Sequence, residues 1–505
     1  MTPLDNLSSL QHYIPDAALA SFAVLIVIVD LFARGRSKVV VGVLSIAALA
    51  VAGALTLWMP HTGERLFYGM ARQDGLAQTF KLVIVGCAAV TLLVSLRTQE
   101  VAERLRGEFF ALMLFATYGM FLMVSASNLL IAYLGVELAS ISSYILAGFL
   151  ANQSRSSEAA FKYVIYGSVA SGVMLFGVSL LYGMAGTTDI ALMGERLASA
   201  HPLALTIAVV FLFAGVGYKI ASVPFHMWSP DVYEGSPLPV TAFLSVASKA
   251  AGFGLTLRIF RDGLGAEELL ASVDWPLFLA LLSAVTMTVG NLAAMGQKNV
   301  KRLLAYSSIA HGGYLLMGIA ALGSSDSSAP TAAILFYLAV YLFMNLGAFF
   351  VVMHLAEPSR LGSEEMPAYR GLIRRSPALA IVMSVFLFSL IGLPPFAGFW
   401  GKLYLFKSVV DASLVEGGVN GHNFVWLVLL AMANSAISLY YYFAVVKAML
   451  LDRGEEETPV KAHPAFALVL LILFLPTLLL GFFTNVDDFR VDEAPEASAS
   501  IMAEE

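Results

Sequence analysis

Fourteen stretches of this chain are apolar over a length that can cross a lipid bilayer. A hydrocarbon core about 30 Å thick needs about 20 mostly apolar residues in a helix. Only 13% of the 505 residues are charged, whereas a soluble domain carries about 25%. The sequence therefore predicts an all-α integral membrane protein with about fourteen transmembrane helices. The stretches are 15–34, 38–59, 78–97, 108–125, 127–150, 160–184, 203–223, 237–260, 274–296, 302–322, 331–355, 378–410, 424–447 and 463–483.

The basic residues between these stretches predict the orientation of the chain. An even number of helices places both termini on the same side of the membrane. Eighteen of the 29 Lys and Arg residues fall in the odd-numbered connections, and six fall in the even-numbered connections and the tails. Because positive charge is concentrated in cytoplasmic loops, we expect the odd connections in the cytoplasm and both termini in the periplasm of a bacterial inner membrane.

Two lysines lie deep inside neighbouring helices, on either side of the Pro-rich connector 224–237. Lys219 precedes Pro224 by about 7 Å of helix, and Lys249 follows Pro237 by about 18 Å. A lysine at such depth costs about 3 kcal/mol or more unless it faces protein or water, and such residues usually mark ion pathways. Lys249 has no acidic residue on its own helix, so we expect it to lack a carboxylate partner.

The fifth stretch, SNLLIAYLGVELASISSYILAGF, has Glu137 at its middle. A carboxylate in lipid is unfavourable, so it is expected to point into the helix bundle and meet a partner. We predict that Glu137 pairs with Lys219. The alternative is that Glu137 only holds two helices together.

The twelfth stretch is too long for one plain crossing, and Pro394 and Pro395 are expected to break it near the membrane centre. Lys402 follows this break, and PFAGFW after it resembles PFHMW after helix 7. Interrupted helices in corresponding positions are typical of transporters built from inverted repeats. The predicted division is helices 1–3 in residues 1–100, two inverted five-helix repeats in 101–262 and 263–450, and helix 14 with an acidic tail in 451–505.

Three further ionisable residues in the helices have competing interpretations. His311, beside two glycines in helix 10, is either a hydrogen-bonded packing residue or a proton relay aligned with the lysines. Lys81 and Lys407 lie near helix ends, where their side chains are expected to reach the membrane interface.

The residues for redox chemistry are missing from the sequence. Cys87 is the single cysteine, whereas an iron–sulfur cluster needs about four thiolates. Nothing pairs His226, His311 or His354 as haem ligands, and no dinucleotide fingerprint or P-loop is present. We therefore expect no cofactor in this chain, and energy supplied by a partner or an ion gradient.

Four segments resemble the antiporter-like membrane subunits of respiratory complex I, and among them subunit N of bacterial NADH–quinone oxidoreductase. They are LIAYLGVELASISSYIL, PDVYEGSPLPVTAFLSVASKAAGF, KRLLAYSSIAHGGYLLMGI and LIGLPPFAGFWGK. The likeness covers about residues 100 to 450. The chain ends in the acidic tail DDFRVDEAPEASASIMAEE, whereas subunit L has a long lateral helix.

The resemblance implies a fold of fourteen helices, with two inverted five-helix repeats and broken helices 7 and 12. It also implies that protons move along a central polar axis, driven by quinone reduction elsewhere in the complex. FMN, iron–sulfur clusters and quinone would belong to partner subunits, and other antiporter-like subunits would be neighbours. At the positions that match the family's motifs, the resemblance implies that the proton-transferring residues are Glu137, Lys219, Lys249, His311 and Lys402.

Two other functions remain compatible with the sequence. One is a subunit of a multi-subunit cation/proton antiporter, which shares the fold. The other is a structural membrane subunit whose charges only join helices.

Overall fold

A computed structural model describes residues 3–32, 37–61, 63–96, 98, 100–150, 152–324, 326–357, 360–415, 417–454 and 459–483. Within these residues, twelve helices are long and apolar enough to cross a membrane, and two shorter apolar helices span Pro377–Ile391 and Pro464–Leu480. The predicted all-α membrane architecture is confirmed. The count of fourteen crossings and the two inverted repeats stay predictions, and the acidic tail lies outside the described residues.

The described helices and strands follow one another with short connections. The α-helices are α1 (Asn6–His12), α2 (Ile14–Phe32), α3 (Ser37–Trp58), α4 (Gly75–Ser95), α5 (Arg106–Ser125), α6 (Leu129–Ala147), α7 (Ser154–Ala185), α8 (Ile190–Leu197), α9 (Pro202–Ile220), α10 (Trp228–Gly235), α11 (Leu238–Phe243), α12 (Lys249–Leu257), α13 (Glu267–Ser272), α14 (Trp275–Met295), α15 (Val300–Ala320), α16 (Ser328–Ala356), α17 (Leu372–Arg375), α18 (Pro377–Ile391), α19 (Ala397–Leu414), α20 (Val425–Leu450) and α21 (Pro464–Phe483). The 3-10 helices are Glu103–Leu105, Ala321–Gly323 and Met366–Tyr369. The strands β1 (Arg65–Leu66) and β2 (Ala71–Arg72) form a short antiparallel hairpin.

Both predicted helix breaks are present. α9 ends at Ile220, where Ala221 turns into the left-handed region with φ 57°, and α10 begins eight residues after Ile220, at Trp228. The twelfth apolar stretch divides into α18 and α19, and Gly392 makes the turn with φ 88°, a conformation that glycine adopts without steric cost. Each break leaves helix-end carbonyls without partners inside their own helix.

The helix that carries Lys249 is irregular, which the sequence did not predict. Two π-helical segments, Leu244–Ser248 and Arg258–Gly263, flank α12. π-helical turns are rare and frequently occur at functional sites. The most apolar 18 residues of this helix are all buried, so it lies in the centre of the molecule.

The structure corrects the expected position of Lys81. Its side chain is completely buried rather than extended to the membrane interface. Nζ lies 2.7 Å from Oδ2 of Asp16 and 2.9 Å from Oε1 of Gln73. These partners compensate for the cost of burying an ammonium, so Lys81 joins α2 to α4 instead of reaching water.

The structure places Arg258 in the interior, 1% exposed. Its guanidinium donates to both carboxylate oxygens of Asp74, at 2.5 and 2.6 Å, and to Asp262 at 3.1 Å. Burial by itself would raise the pKa of the Asp74 carboxyl, but the bonds from Arg258 hold that pKa below its usual range. The pair connects the end of the central helix to the start of α4.

Candidate functional site

The five predicted proton-transferring side chains come from five helices that meet in the interior. Lys219, Lys249, His311 and Lys402 are between 1% and 4% exposed, and Glu137 is partly buried. They lie on α9, α12, α15, α19 and α6 respectively.

Glu137 and Lys219 are neighbours without a direct ion pair, so the predicted pair is wrong for this conformation. Nζ of Lys219 donates to Oγ of Ser140 at 3.1 Å, and no ion pair joins it to Glu137 within 4.0 Å. Oε1 of Glu137 is buried and has no hydrogen-bond partner among the described residues. Ser140 lies about one helical turn after Glu137 and takes the ammonium, while the carboxylate still attracts Lys219 through space.

Lys249 has no carboxylate partner among the described residues, as the sequence predicted. Its ammonium donates to the backbone carbonyl of Ser308 on α15. Gly312 on α15 lies beside this contact, and a Cβ there would lie 3.3 Å from the carbonyl oxygen of Ile220 at the end of α9 and 3.8 Å from Nζ of Lys249. Lys249 is therefore held by a neutral acceptor at the centre of the molecule.

His311 lies near Lys249 and Lys402, close enough for the charge of each lysine to act on its ring. Its Nδ1 is 2.5 Å from the hydroxyl of Tyr337, and its Nε2 is 3.4 Å from the hydroxyl of Tyr442. Both ring nitrogens face groups that can give or take a hydrogen bond. This geometry fits a proton relay as well as a packing role.

Lys402 is placed by the break between α18 and α19. Nζ donates to the carbonyl of Ile391, the last residue of α18, at 2.8 Å, and to Oγ of Ser435 at 2.9 Å. It also lies 4.8 Å from the ring centroid of Tyr314, within the range of a cation–π contact. A cavity of about 320 Å³ adjoins Lys402, so the side chain of Lys402 has open space beside it.

The connector between the two central lysines is fixed by ion pairs from both halves of the chain. Asp231 on α10 accepts from Lys162 of α7 and from Arg302 of α15, both at 2.6 Å. Arg302 also bonds Glu234 at 2.7 Å. Burial would raise the pKa of Asp231, but the bonds from Lys162 and Arg302 lower it, so this carboxylate stays charged.

Comparison with known proteins decides the family. Residues 126–421 match the sequence model described as NADH:quinone oxidoreductase/Mrp antiporter, transmembrane. These residues make up more than half of the chain. The chain belongs to the NADH:quinone oxidoreductase/Mrp antiporter family.

Individual members of this family are similar along nearly the whole chain. NADH-quinone oxidoreductase subunit N of Anaeromyxobacter sp. (strain Fw109-5) is 44% identical over 502 residues, and the match covers 95% of each chain. A chain of respiratory complex I from Thermus thermophilus with bound aureothin is 32% identical with a TM-score of 0.76, over 92% of this chain and 96% of that one. A chain of the Mrp complex from Dietzia sp. DQ12-45-1b shares the fold, with a TM-score of 0.77 at 19% identity over 94% of each chain.

The structure of this antiporter-family chain also shows tyrosine hydroxyl groups near the ionisable residues that the sequence analysis did not predict. Tyr337 and Tyr442 contact His311, and Tyr341 donates to Oγ of Ser308 at 2.9 Å. The sequence does contain a signal for two of these groups. Tyr337 and Tyr341 are four residues apart inside the apolar helix α16, and residues i and i+4 share one helix face.

The described residues of this family member form no cluster of metal-binding side chains. No three His, Cys, Asp or Glu side chains come together there in a way that could hold a metal ion. Cys87 is a buried free thiol, and His354 stacks on the ring of Phe466 at 4.3 Å.

Proposed function

We propose that this chain is a proton-translocating membrane-arm subunit of a bacterial NADH–quinone oxidoreductase. The observation that carries the proposal is the set of buried and half-buried ionisable side chains on five membrane helices, Glu137, Lys219, Lys249, His311 and Lys402. Buried ionisable residues in membrane helices usually lie on ion or proton pathways. The names of the similar proteins assign such a chain to NADH-quinone oxidoreductase.

Proton movement in this proposal follows from making and breaking charge contacts. A Glu–Lys pair about 4 Å apart at an effective dielectric of about 20 interacts by about 4 kcal/mol. Moving one proton against about 150 mV costs about 3.5 kcal/mol. The free energy gained when the Glu137–Lys219 contact closes is therefore large enough to load and unload a proton. In the described conformation Lys219 bonds Ser140 instead.

The remaining residues complete the path. Lys249 passes the proton across the centre, His311 relays it, and Lys402 releases it to the periplasm beside the broken helix. Quinone reduction elsewhere in the complex drives the cycle, and the chain itself carries no redox centre. FMN, iron–sulfur clusters and quinone are held by partner subunits, and other antiporter-like subunits adjoin this one in the membrane.

The proposal and its rival predict different purified complexes. We expect the tagged chain to co-purify with flavin and iron–sulfur subunits, and the complex in proteoliposomes to pump protons when NADH and quinone are added. Proton uptake is followed with a pH-sensitive dye, and an uncoupler is the control. Recovery of an assembly that exchanges sodium for protons and does not oxidise NADH would instead establish the cation/proton antiporter.

We further propose that both termini lie in the periplasm, as the distribution of basic residues indicates. The exposed residues Ser157 and Ser199 lie on opposite sides in this topology, and the native Cys87 is buried. We expect an impermeant thiol reagent to label Ser157→Cys only in inside-out vesicles and Ser199→Cys only in right-side-out vesicles. The reverse labelling would show that the chain is inserted the other way.

A further inference from the structure

The aromatic ring of Tyr314 on α15 lies beside the ammonium of Lys402. Nζ of Lys402 is 4.8 Å from the centroid of the ring, and a cation within about 6 Å of an aromatic face is attracted by the electron density of that face. Tyr314 is 1% exposed and Lys402 is 4% exposed, so both side chains are buried. A cation–π contact is stronger in such surroundings than at an exposed site.

The contact with the ring depends on the charge of Lys402 more strongly than its two hydrogen bonds do. These bonds run to the carbonyl of Ile391 at 2.8 Å and to Oγ of Ser435 at 2.9 Å. A neutral amine keeps two N–H groups, so both bonds can persist after the ammonium has lost a proton. The attraction to the ring acts on the positive charge and disappears with it.

Three helices fix the position of the Tyr314 ring. The ring belongs to α15, and its hydroxyl accepts a hydrogen bond at 3.2 Å from Nδ2 of Asn291, a fully buried residue of α14. Oδ1 of Asn291 in turn accepts from the hydroxyl of Tyr441 on α20 at 2.9 Å. The ring also meets the imidazole of His311 at 88°, with centroids 5.7 Å apart. Tyr314 therefore stands next to both His311 and Lys402, the last two residues of the proposed path.

We propose that Tyr314 is a positioning residue whose aromatic face holds the ammonium of Lys402 at the break between α18 and α19 until the proton leaves. The inference rests on the proposed function, because it concerns the residue that releases the proton. Tyr314 itself neither takes up nor gives up a proton in this step. After Lys402 has released its proton to periplasmic water, the neutral amine is no longer drawn to the ring, and its side chain is free to move into the adjoining cavity.

The test changes the electron density of the ring and leaves its size nearly constant. Tyr314 is replaced in the intact complex by phenylalanine and by phenylalanines with one, two or three ring fluorines, which weaken the attraction of the ring face for a cation. We expect Tyr314→Phe to pump protons faster in proteoliposomes than any fluorinated variant, and each added fluorine to lower the rate further. Tyr314→Leu, which lacks the ring, is expected to pump about 30-fold more slowly than Tyr314→Phe, the factor that a buried cation–π contact supplies.

Phe386 provides the matched control for fluorination. It is fully buried on α18, and its ring packs edge-on against that of Phe474, with centroids 6.3 Å apart. No lysine or arginine of the described residues lies over the Phe386 ring. The same series at position 386 is therefore expected to leave pumping unchanged. Equal losses at 386 and 314 would assign the effect to packing and overturn the inference, as would equal rates along the whole series at 314.

Lys402→Met, which has no charge for the ring to attract, keeps the inference separate from the proposed function. Normal pumping by Lys402→Met would remove Lys402 from the proposed path and the inference with it. Reduced pumping by Lys402→Met together with equal rates along the series at 314 would remove the inference alone. Assembly is checked by native gel electrophoresis. If Tyr314→Phe does not assemble, the series is made with fluorinated tyrosines, which keep the hydroxyl and its bond to Asn291, and the same falling rates are expected.

Discussion

Glu137→Gln and Lys219→Ala are each expected to lower coupled NADH-driven proton pumping by at least about 100-fold, the low end of what a proton-transferring group contributes. Glutamine keeps the size of the side chain but cannot hold a proton at the membrane centre. Alanine at 219 removes the ammonium that Ser140 now binds. Assembly is expected to survive, because the two residues share no ion pair within 4.0 Å and so do not join α6 to α9 directly. Pumping is measured in proteoliposomes, and assembly by native gel electrophoresis.

Ser143→Ala is the control for this pair of variants. Ser143 is fully buried on α6, but its hydroxyl donates to the carbonyl of Ala139 on the same helix and makes no hydrogen bond to Lys219. It is expected to pump normally. Variants of Glu137 and Lys219 that fail to assemble would favour the structural role, in which these charges only hold helices together.

The fold class and the helix breaks follow from the sequence because both depend on local properties. Long apolar runs can only form helices in lipid, where every backbone group must be satisfied within the segment. Pro394 and Pro395 cannot continue a helix, and the break lies where they predicted it. The π-helical segments beside Lys249 could not be predicted, since they depend on packing against surrounding helices and not on any one residue type.

Long-range partners were the part that the sequence could not supply. Lys81 lies near the start of an apolar helix, and nothing local shows that Asp16, 65 positions earlier, meets its ammonium. Arg258 finds Asp74 across 184 positions for the same reason. The absence of an acid beside Lys249 was predictable, because a charge in an apolar run is easy to see in the sequence and so is the lack of one.

Lys249 is expected to be the most sensitive residue of the chain, and Lys249→Arg is expected to impair pumping nearly as much as Lys249→Ala. The ammonium of Lys249 has a neutral carbonyl as its partner and no carboxylate among the described residues, so no ion pair stabilises its charged form. Arginine keeps the positive charge but holds its proton at every accessible pH. A group that must take up and release a proton then loses about 100-fold or more in rate, whether the proton acceptor is absent or permanently occupied.

Lys407→Arg is the matched control, because Lys407 is an exposed lysine one and a half turns beyond Lys402 on the same helix, α19. Proton pumping and NADH–quinone reductase rates are measured for all three variants, with assembly checked by native gel electrophoresis. Lys407→Arg is expected to match the wild-type complex. If Lys249→Arg also matches it while Lys249→Ala does not, position 249 requires only a positive charge, and the proton passes the centre of the subunit by another route.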